Sequence, residues 1–162
     1  MKTLIALFLA IGSSQEIAVS ASHPVGAAIA INGDEISIGG TAIRLYGISA
    51  PKLLQMCADN HGRAYACGEK ARDQLAKWVV GRSTSCAYHG QKAICFVESL
   101  DIGKKLLERG LAIPSADAPE AYRQAGLRAK AARVGVWQGH FLDPDQWQRS
   151  FNRSPFVRPS EP

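Results

Sequence analysis

The stretch "GAAIAINGDEISIGGTAIRLYGI", residues 26–48, predicts three consecutive β-strands. Asn32-Gly33 is the strongest short signal for a β-hairpin, and Gly39-Gly40 is a second turn signal. Around the second turn apolar and polar residues alternate, so successive side chains point to opposite faces of a sheet. We therefore expect a curved meander with one buried face.

The remaining elements predict a small barrel with helices. Apolar residues at helical spacing predict a helix that ends at Gly81, and Asp101 is a candidate N-cap for a shorter helix. Asp117 and Glu120 have the spacing of a capping box at the start of a third helix. These elements are a helix over 64–80, a hairpin over 83–98, and helices over 101–109 and 118–133. This order predicts an α+β fold, a five-stranded OB barrel with three helices.

Both ends of the chain are predicted to lie outside the barrel. Lys2, the apolar run at 3–12 and the small residues at 19–21 have the pattern of a signal peptide. The run is shorter than the roughly 20 residues of a membrane span, although an uncleaved anchor is the alternative. We expect an exported monomer, periplasmic or extracellular, without a transmembrane segment. The predicted boundaries are a signal peptide at 1–21, a barrel domain at 22–149 and a flexible polar tail at 150–162.

The four cysteines are expected to form two disulfides. An even number in an exported chain favours disulfides, and four cysteines allow three pairings. If Gly90-Gln91 is the two-residue loop of the second hairpin, Cys86 faces Cys95 within bridging distance. Cys57–Cys67 then follows by elimination.

A metal site is the alternative use of the first two cysteines. Cys57, His61 and Cys67 would supply its ligands. The group lacks a CxxC pair and needs thiolates that stay reduced, so we favour the disulfide.

The chain is basic, with a formal net charge of +5. From residue 122 onward there are seven Arg and Lys against three Asp and Glu, so the excess lies towards the C-terminus. A basic patch suggests an anionic partner such as nucleic acid, acidic polysaccharide or lipid headgroups. A basic surface that only keeps the protein in solution fits the charge equally well.

Six segments in one order resemble the staphylococcal nuclease (thermonuclease) family. They are "NGDEISI", "IRLYGISAP", "QMC", "GRAYACGEKARDQL", "GKKLLERGLA" and "YRQAGLRAKAARVGVWQG", and the resemblance covers residues 26–148. The resemblance implies an OB barrel with three helices, in agreement with the pattern above. Active relatives cut DNA and RNA phosphodiesters with calcium.

The resemblance also assigns roles to particular positions. Arg44 matches the first catalytic arginine, and Asp34 matches one metal carboxylate. Ser49 stands where the second metal carboxylate is expected, and Lys52 where the general-base glutamate is expected. Gln91 stands where the second arginine is expected, on a hairpin that is shorter than in active relatives.

These departures predict that the ordinary nuclease reaction is absent or vestigial. A carboxylate that deprotonates the attacking water is worth roughly 10²–10⁴-fold, and a donor to the phosphoryl oxygens roughly 10²–10³-fold. Lys52 reverses the charge at the base position, and Ser49 leaves one metal carboxylate at most. We therefore expect no cofactor, and Ca²⁺ only if the chain is a nuclease after all. Whether the protein is an enzyme stays open, although these residues favour a protein without enzymatic activity.

Arg44, Lys52 and His89 remain as candidate binding residues around the inherited cleft. Arg44 could bind an anionic group, or it could pair with an acid such as Glu35 and cover the barrel mouth. Asp34 is better interpreted as a turn or hydrogen-bonding residue than as a calcium ligand, because one carboxylate makes a weak site.

The function predicted from the sequence is an exported binding or accessory module on an anionic polymer, either nucleic acid or acidic polysaccharide. One alternative is an altered but genuine nuclease that hydrolyses DNA or RNA phosphodiesters. A second is an accessory role in exopolysaccharide biosynthesis, because some secreted relatives of the resembled family are associated with succinoglycan production.

Overall fold

The computed structural model describes residues 23–153; the predicted signal peptide and residues 154–162 of the predicted tail lie outside this range. Ten strands, four α-helices and one 3₁₀-helix make up the described chain. In chain order they are β1 (Val25–Asn32), β2 (Glu35–Ile38), β3 (Thr41–Leu45), β4 (Ile48–Ser49), β5 (Met56–Ala58), β6 (Ala64–Ala66), α1 (Cys67–Val79), β7 (Ser83–His89), β8 (Lys92–Val97), β9 (Leu100–Asp101), α2 (Ile102–Glu108), β10 (Ile113–Pro114), α3 (Glu120–Ala131), the 3₁₀-helix (Gly135–Gln138) and α4 (Pro144–Arg153).

Five of the strands close into a barrel, which confirms the predicted OB-like fold. In the six-stranded sheet β3-β2-β1-β7-β8-β9 the first five strands form the barrel, and every neighbouring pair is antiparallel. A parallel pairing of β3 with β8 closes the barrel, with Arg44 opposite Lys92 and Leu45 opposite Ala93. This closure brings the end of the first meander beside the start of the last barrel strand.

The first two turns position the acidic residue of the candidate site. Gly39-Gly40 form the second turn as predicted, with φ of +57° and +82°, which favours glycine. The first turn lies one residue further along than predicted, because Asn32 pairs with Glu35 and leaves Gly33 and Asp34 as the loop. A Cβ on Gly33 would lie 2.8 Å from the Cβ atoms of Ala50 and Ala71. This close approach holds the Asp34 turn against the loop that follows β4.

Along β2 and the end of β3, apolar side chains are buried and the residues between them are more exposed. The inward-facing side chains of β2 and β3, together with one face of α1 and of α2, form the main core. Its largest fully buried members are Ile36, Ile43, Leu45, Leu75, Ile102, Leu106 and Leu107. Full burial of one such side chain contributes roughly 1.5–3 kcal/mol relative to exposure. The barrel and two helices therefore form one rigid support for the strand ends.

Both predicted disulfides are present. Cys86 and Cys95 are direct partners across β7 and β8, with Cα atoms 4.1 Å apart. Cys57 and Cys67 are joined with Cα atoms 5.6 Å apart, and so connect β5 to the first residue of α1. The metal site considered for Cys57, His61 and Cys67 is wrong, because both sulfurs are in a disulfide bond.

Two features of the first three helices differ from the prediction. α1 begins at Cys67 rather than at residue 64, because residues 64–66 pair with β5 as strand β6. The capping box predicted for α3 is wrong, since Pro119 is the N-cap and no side chain caps the helix. The Asp117 carboxylate instead accepts hydrogen bonds from the side chains of Ser115 and Lys92. By contrast, Asp101 caps α2 as predicted, accepting from the Lys104 amide.

α4 was not predicted from the sequence, so the described chain has four α-helices rather than three. Asp143 caps it, because its Oδ1 accepts hydrogen bonds from the backbone amides of Asp145 and Gln146. Trp147 and Phe151 stack on each other with ring centroids 4.7 Å apart. The domain boundary placed at residue 149 falls inside this helix, which continues to Arg153.

The described residues contain no helix that is both long and apolar enough to cross a bilayer. Two disulfides are typical of proteins that reside in an oxidising compartment. The two disulfides agree with the oxidising compartment expected for an exported protein.

Candidate functional site

The candidate site is a cleft between the barrel mouth and α4. It contains two adjoining cavities of about 180 Å³ and about 430 Å³. Asp34, Arg44 and Asp145 line both cavities. The first cavity is completed by Leu45, Ile48, Ser49, Lys92 and Ser115, and the second by Asn32, Lys52, Gln148, Arg149 and Asn152.

Asp34 and Lys52 form an ion pair in this cleft. The Lys52 Nζ atom lies 3.2 Å from Asp34 Oδ2, and the two side chains are 14% and 8% exposed. The same oxygen accepts a hydrogen bond from the Ala50 amide at 3.3 Å. Asp34 is therefore a hydrogen-bonding turn residue, and its charge is already neutralised by a cation of the same chain.

Ser49 has a partner that the sequence did not suggest. Its buried Oγ atom donates a hydrogen bond to Asp145 Oδ1 on α4, at 3.1 Å. A carboxylate from a helix 96 residues away in sequence thus lies beside Ser49 in the cleft.

Gln55 ties α4 to the loop that carries Lys52. This fully buried side chain donates from Nε2 to the Leu142 carbonyl at 2.7 Å, and its Oε1 accepts from the Lys52 amide at 3.1 Å. The first bond holds the chain just before α4 beside this loop, and the second fixes the Gln55 amide within the loop. A buried amide must satisfy both of its polar atoms, which makes Gln55 a positioning residue for the cleft.

Arg44 has no ion-pair partner among residues 23–153, where no carboxylate lies within 4.0 Å of its guanidinium. Glu35 is its direct neighbour across β2 and β3, but the Glu35 carboxylate accepts from Asn32 Nδ2 at 2.8 Å instead. The alternative in which Glu35 pairs with Arg44 is therefore not realised. Arg44 is exposed and presents its charge to both cavities.

The second hairpin contributes a different residue from the one predicted. Gln91 is exposed in the tight turn and lines neither cavity, whereas the next residue, Lys92, lines the first. His89 lies outside the lining as well, with its ring stacked on Tyr46 at a centroid distance of 4.5 Å. Lys92 could have been found from the barrel register, which places it opposite Arg44.

Lys92 is itself paired. Its Nζ atom lies 3.1 Å from Asp117 Oδ2, at the edge of the first cavity. Hydrogen bonds from the Ser115 hydroxyl and then from Lys92 hold the pKa of the Asp117 carboxyl below its ordinary value. Asp117 therefore stays ionised and keeps Lys92 occupied at neutral pH.

Three charged groups of the cleft remain without an ion-pair partner in the described part of the chain. Arg44, Arg149 and Asp145 each have no oppositely charged group within 4.0 Å. Asp34 with Lys52, and Asp117 with Lys92, neutralise each other. The cleft therefore offers an incoming ligand two guanidinium groups and one carboxylate.

The cleft residues do not fit calcium. Ca²⁺ takes six to eight oxygen ligands from carboxylates, carbonyl groups and waters. Asp34 already holds the Lys52 ammonium, and a cation beside it repels a second cation. Over residues 23–153, no group of three His, Cys, Asp or Glu side chains is arranged to hold a metal ion.

Comparison with known proteins gives one informative relative. No protein-family model matches the chain. The succinoglycan biosynthesis protein ExoI of Rhizobium meliloti (strain 1021) is 30% identical over 128 residues, which cover 73% of this chain and 67% of the relative. The chain belongs to the ExoI family. The printed name of the ExoI relative refers to succinoglycan biosynthesis.

Proposed function

We propose that this protein is an accessory factor in exopolysaccharide biosynthesis, which binds an acidic polysaccharide at the Arg44 cleft and lacks ordinary phosphodiester hydrolysis. The observation that carries the proposal is the ion pair between Lys52 and Asp34 at 3.2 Å. It places an ammonium on the carboxylate that a catalytic metal would need, at the position where a nuclease would keep its base.

The cleft also lacks the second metal carboxylate and the second arginine that phosphodiester hydrolysis uses in the resembled family. Ser49 donates a hydrogen bond to Asp145, so its hydroxyl is committed to holding α4. Gln91 is exposed in the hairpin turn and does not line the cleft. Loss of the base and of the second guanidinium corresponds to roughly 10⁴–10⁷-fold in rate, although coupled groups are not additive.

Binding of an anionic group is what the remaining residues support. Arg44 and Arg149 have no internal ion pair among residues 23–153, and a guanidinium can bind both oxygens of a carboxylate at once. The net charge of +5 favours the approach of an anionic polymer. The ExoI relative favours a polysaccharide over a nucleic acid as that polymer.

Calorimetric titration of the mature protein with oligogalacturonate, a carboxylate-bearing oligosaccharide, tests the proposal. We expect binding that EDTA leaves unchanged and that a neutral glucan of equal length does not reproduce. Arg44→Gln should weaken binding about tenfold or more, because it removes a charge-assisted hydrogen bond. Arg128→Gln is the matched control, since Arg128 is exposed on α3 and lines neither cavity.

The proposal fails if oligogalacturonate does not bind, or if it binds equally well to the Arg44→Gln variant. Metal-dependent digestion of DNA by the purified parent, abolished by Arg44→Gln, would favour the altered nuclease instead.

A further inference from the structure

We infer that Asp145 is a specificity-determining residue that makes the cleft select a polymer with both anionic groups and free hydroxyls, and reject DNA. The inference rests on the proposed function and names the chemistry that decides between the two anionic polymers. It assigns a role to a residue of α4 to which the sequence resemblance gave no function.

The position of Asp145 is the first reason. Its carboxylate shares both cavities with Arg44, and Ser49 Oγ holds its Oδ1 at 3.1 Å. No cation lies within 4.0 Å of it among residues 23–153. An anion that reaches Arg44 therefore approaches a carboxylate that has no ion-pair partner among the described residues.

The carboxylate is not needed to cap its own helix. Asp143 Oδ1 already accepts from the amides of Asp145 and Gln146, so the first turn of α4 has its cap. An ionised carboxylate accepts several hydrogen bonds and donates none. With one bond from Ser49, Asp145 keeps the capacity to accept hydroxyl donors from a ligand.

The two candidate polymers differ in what they can offer this group. An acidic sugar carries hydroxyls beside its carboxylate, so one residue of the polymer can give its anion to Arg44 and its hydroxyls to Asp145. The DNA backbone presents charged phosphate oxygens and lacks the 2′-hydroxyl donor. Phosphates beside Asp145 are repelled, whereas sugar hydroxyls are bound.

The test is a comparison of two ligands on Asp145→Asn. Asparagine is nearly isosteric and keeps an oxygen for Ser49, so α4 stays in place while the charge is removed. With oligogalacturonate we expect affinity to fall roughly threefold to tenfold, because hydrogen bonds to a charged acceptor are lost. With a single-stranded DNA of equal charge we expect affinity to rise about fivefold at low salt, because a like charge is removed.

Two further variants separate this role from a structural one. Asp145→Glu keeps the charge and should retain the preference of the parent for the sugar. Asp73→Asn makes the same change on the exposed surface of α1, outside the cleft, and should change neither affinity. A variant that merely loosened α4 would shift both ligands in one direction.

Affinities that move together in Asp145→Asn, or an unchanged ratio between sugar and DNA, would overturn the inference alone. Failure of the parent to bind oligogalacturonate would overturn the proposed function, and the inference with it.

Discussion

The ammonium of Lys52 lies 3.2 Å from the carboxylate of Asp34, and both side chains are largely buried at the mouth of the barrel. The resemblance assigned these two positions to a catalytic base and a metal ligand, which would carry the same sign of charge. Here they carry opposite signs and neutralise each other. A cation of the chain itself therefore occupies the Asp34 carboxylate.

Removal of the ammonium should destabilise the fold. In Lys52→Met the Asp34 carboxylate stays buried with the Ala50 amide as its remaining bond, so we expect a loss of about 2 kcal/mol in the free energy of unfolding. Urea denaturation measures the change. Adding Asp34→Asn should recover most of it, because no buried charge is then left unpaired. Lys77→Met, an exposed lysine on α1, is the control and should stay within about 0.5 kcal/mol of the parent.

Calcium should leave the melting temperature of the parent unchanged at about 10 mM, a concentration roughly tenfold above the Kd of weak extracellular sites, which is about 1 mM. The reason is that Asp34 already holds Lys52. In Lys52→Met the carboxylate is released, and a small stabilisation by calcium is expected there through mass action on the folded state. A reproducible rise in the parent that Asp34→Ala abolishes would show that Lys52 does not exclude the ion.

Introducing the charges that the resembled family carries at these positions should produce a measurable nuclease rate. The combined variant Ser49→Asp, Lys52→Glu and Gln91→Arg should cut single-stranded DNA with calcium faster than the parent, while Lys52→Glu alone should do little. The rate should stay far below that of an active relative, since residue 91 lies in an exposed turn and a displacement of 1 Å can cost about 10²-fold.

A second version of this variant uses the register of the barrel. Lys92→Arg in place of Gln91→Arg puts the second guanidinium on a residue that lines the cleft, so this version should be the faster of the two. The comparison is made in the same assay on the same DNA. Equal rates would mean that the position of the second cation does not limit the rate of the variant. A parent protein that already cuts DNA at enzyme-like rates would contradict the prediction that it lacks ordinary nuclease activity.

Stability should depend on pH through Asp117. Its pKa is lowered, first by the hydrogen bond from Ser115 and then by Lys92. Its contribution to the free energy of unfolding is therefore present at pH values above the ordinary pKa of 3.8, and it is lost as the pH falls through the pKa of the folded state. The difference in unfolding free energy between the parent and Asp117→Asn should be constant from about pH 6 to 8 and shrink below about pH 4. The side chain is 46% exposed, so the difference should be roughly 0.2–1 kcal/mol. A difference that grows as pH falls would contradict the sign.

The sequence by itself indicated the strand and turn pattern of the first meander and the two disulfides. Turn glycines, the two-residue periodicity and the capping of α2 by Asp101 are local features, so a few neighbouring residues were enough to predict them. The pairing of Cys86 with Cys95 followed from the length of one hairpin loop. Ser49 and Lys52 follow the third predicted strand closely, so the sequence was enough to show that neither position carries a carboxylate. Each of these depends on short separations along the chain.

The tertiary structure alone decided what the cleft contains. Asp145 reaches Ser49 across 96 residues, on a short helix whose large apolar side chains are Trp147 and Phe151. Barrel closure, rather than the hairpin turn, decided that Lys92 and not Gln91 faces the cavity. Whether Lys52 points to solvent or to Asp34 depends on where the Gly33 turn packs against Ala50 and Ala71. Charges pair with whatever opposite group the fold brings within a few ångströms, and that distance is not written in the local pattern of the chain.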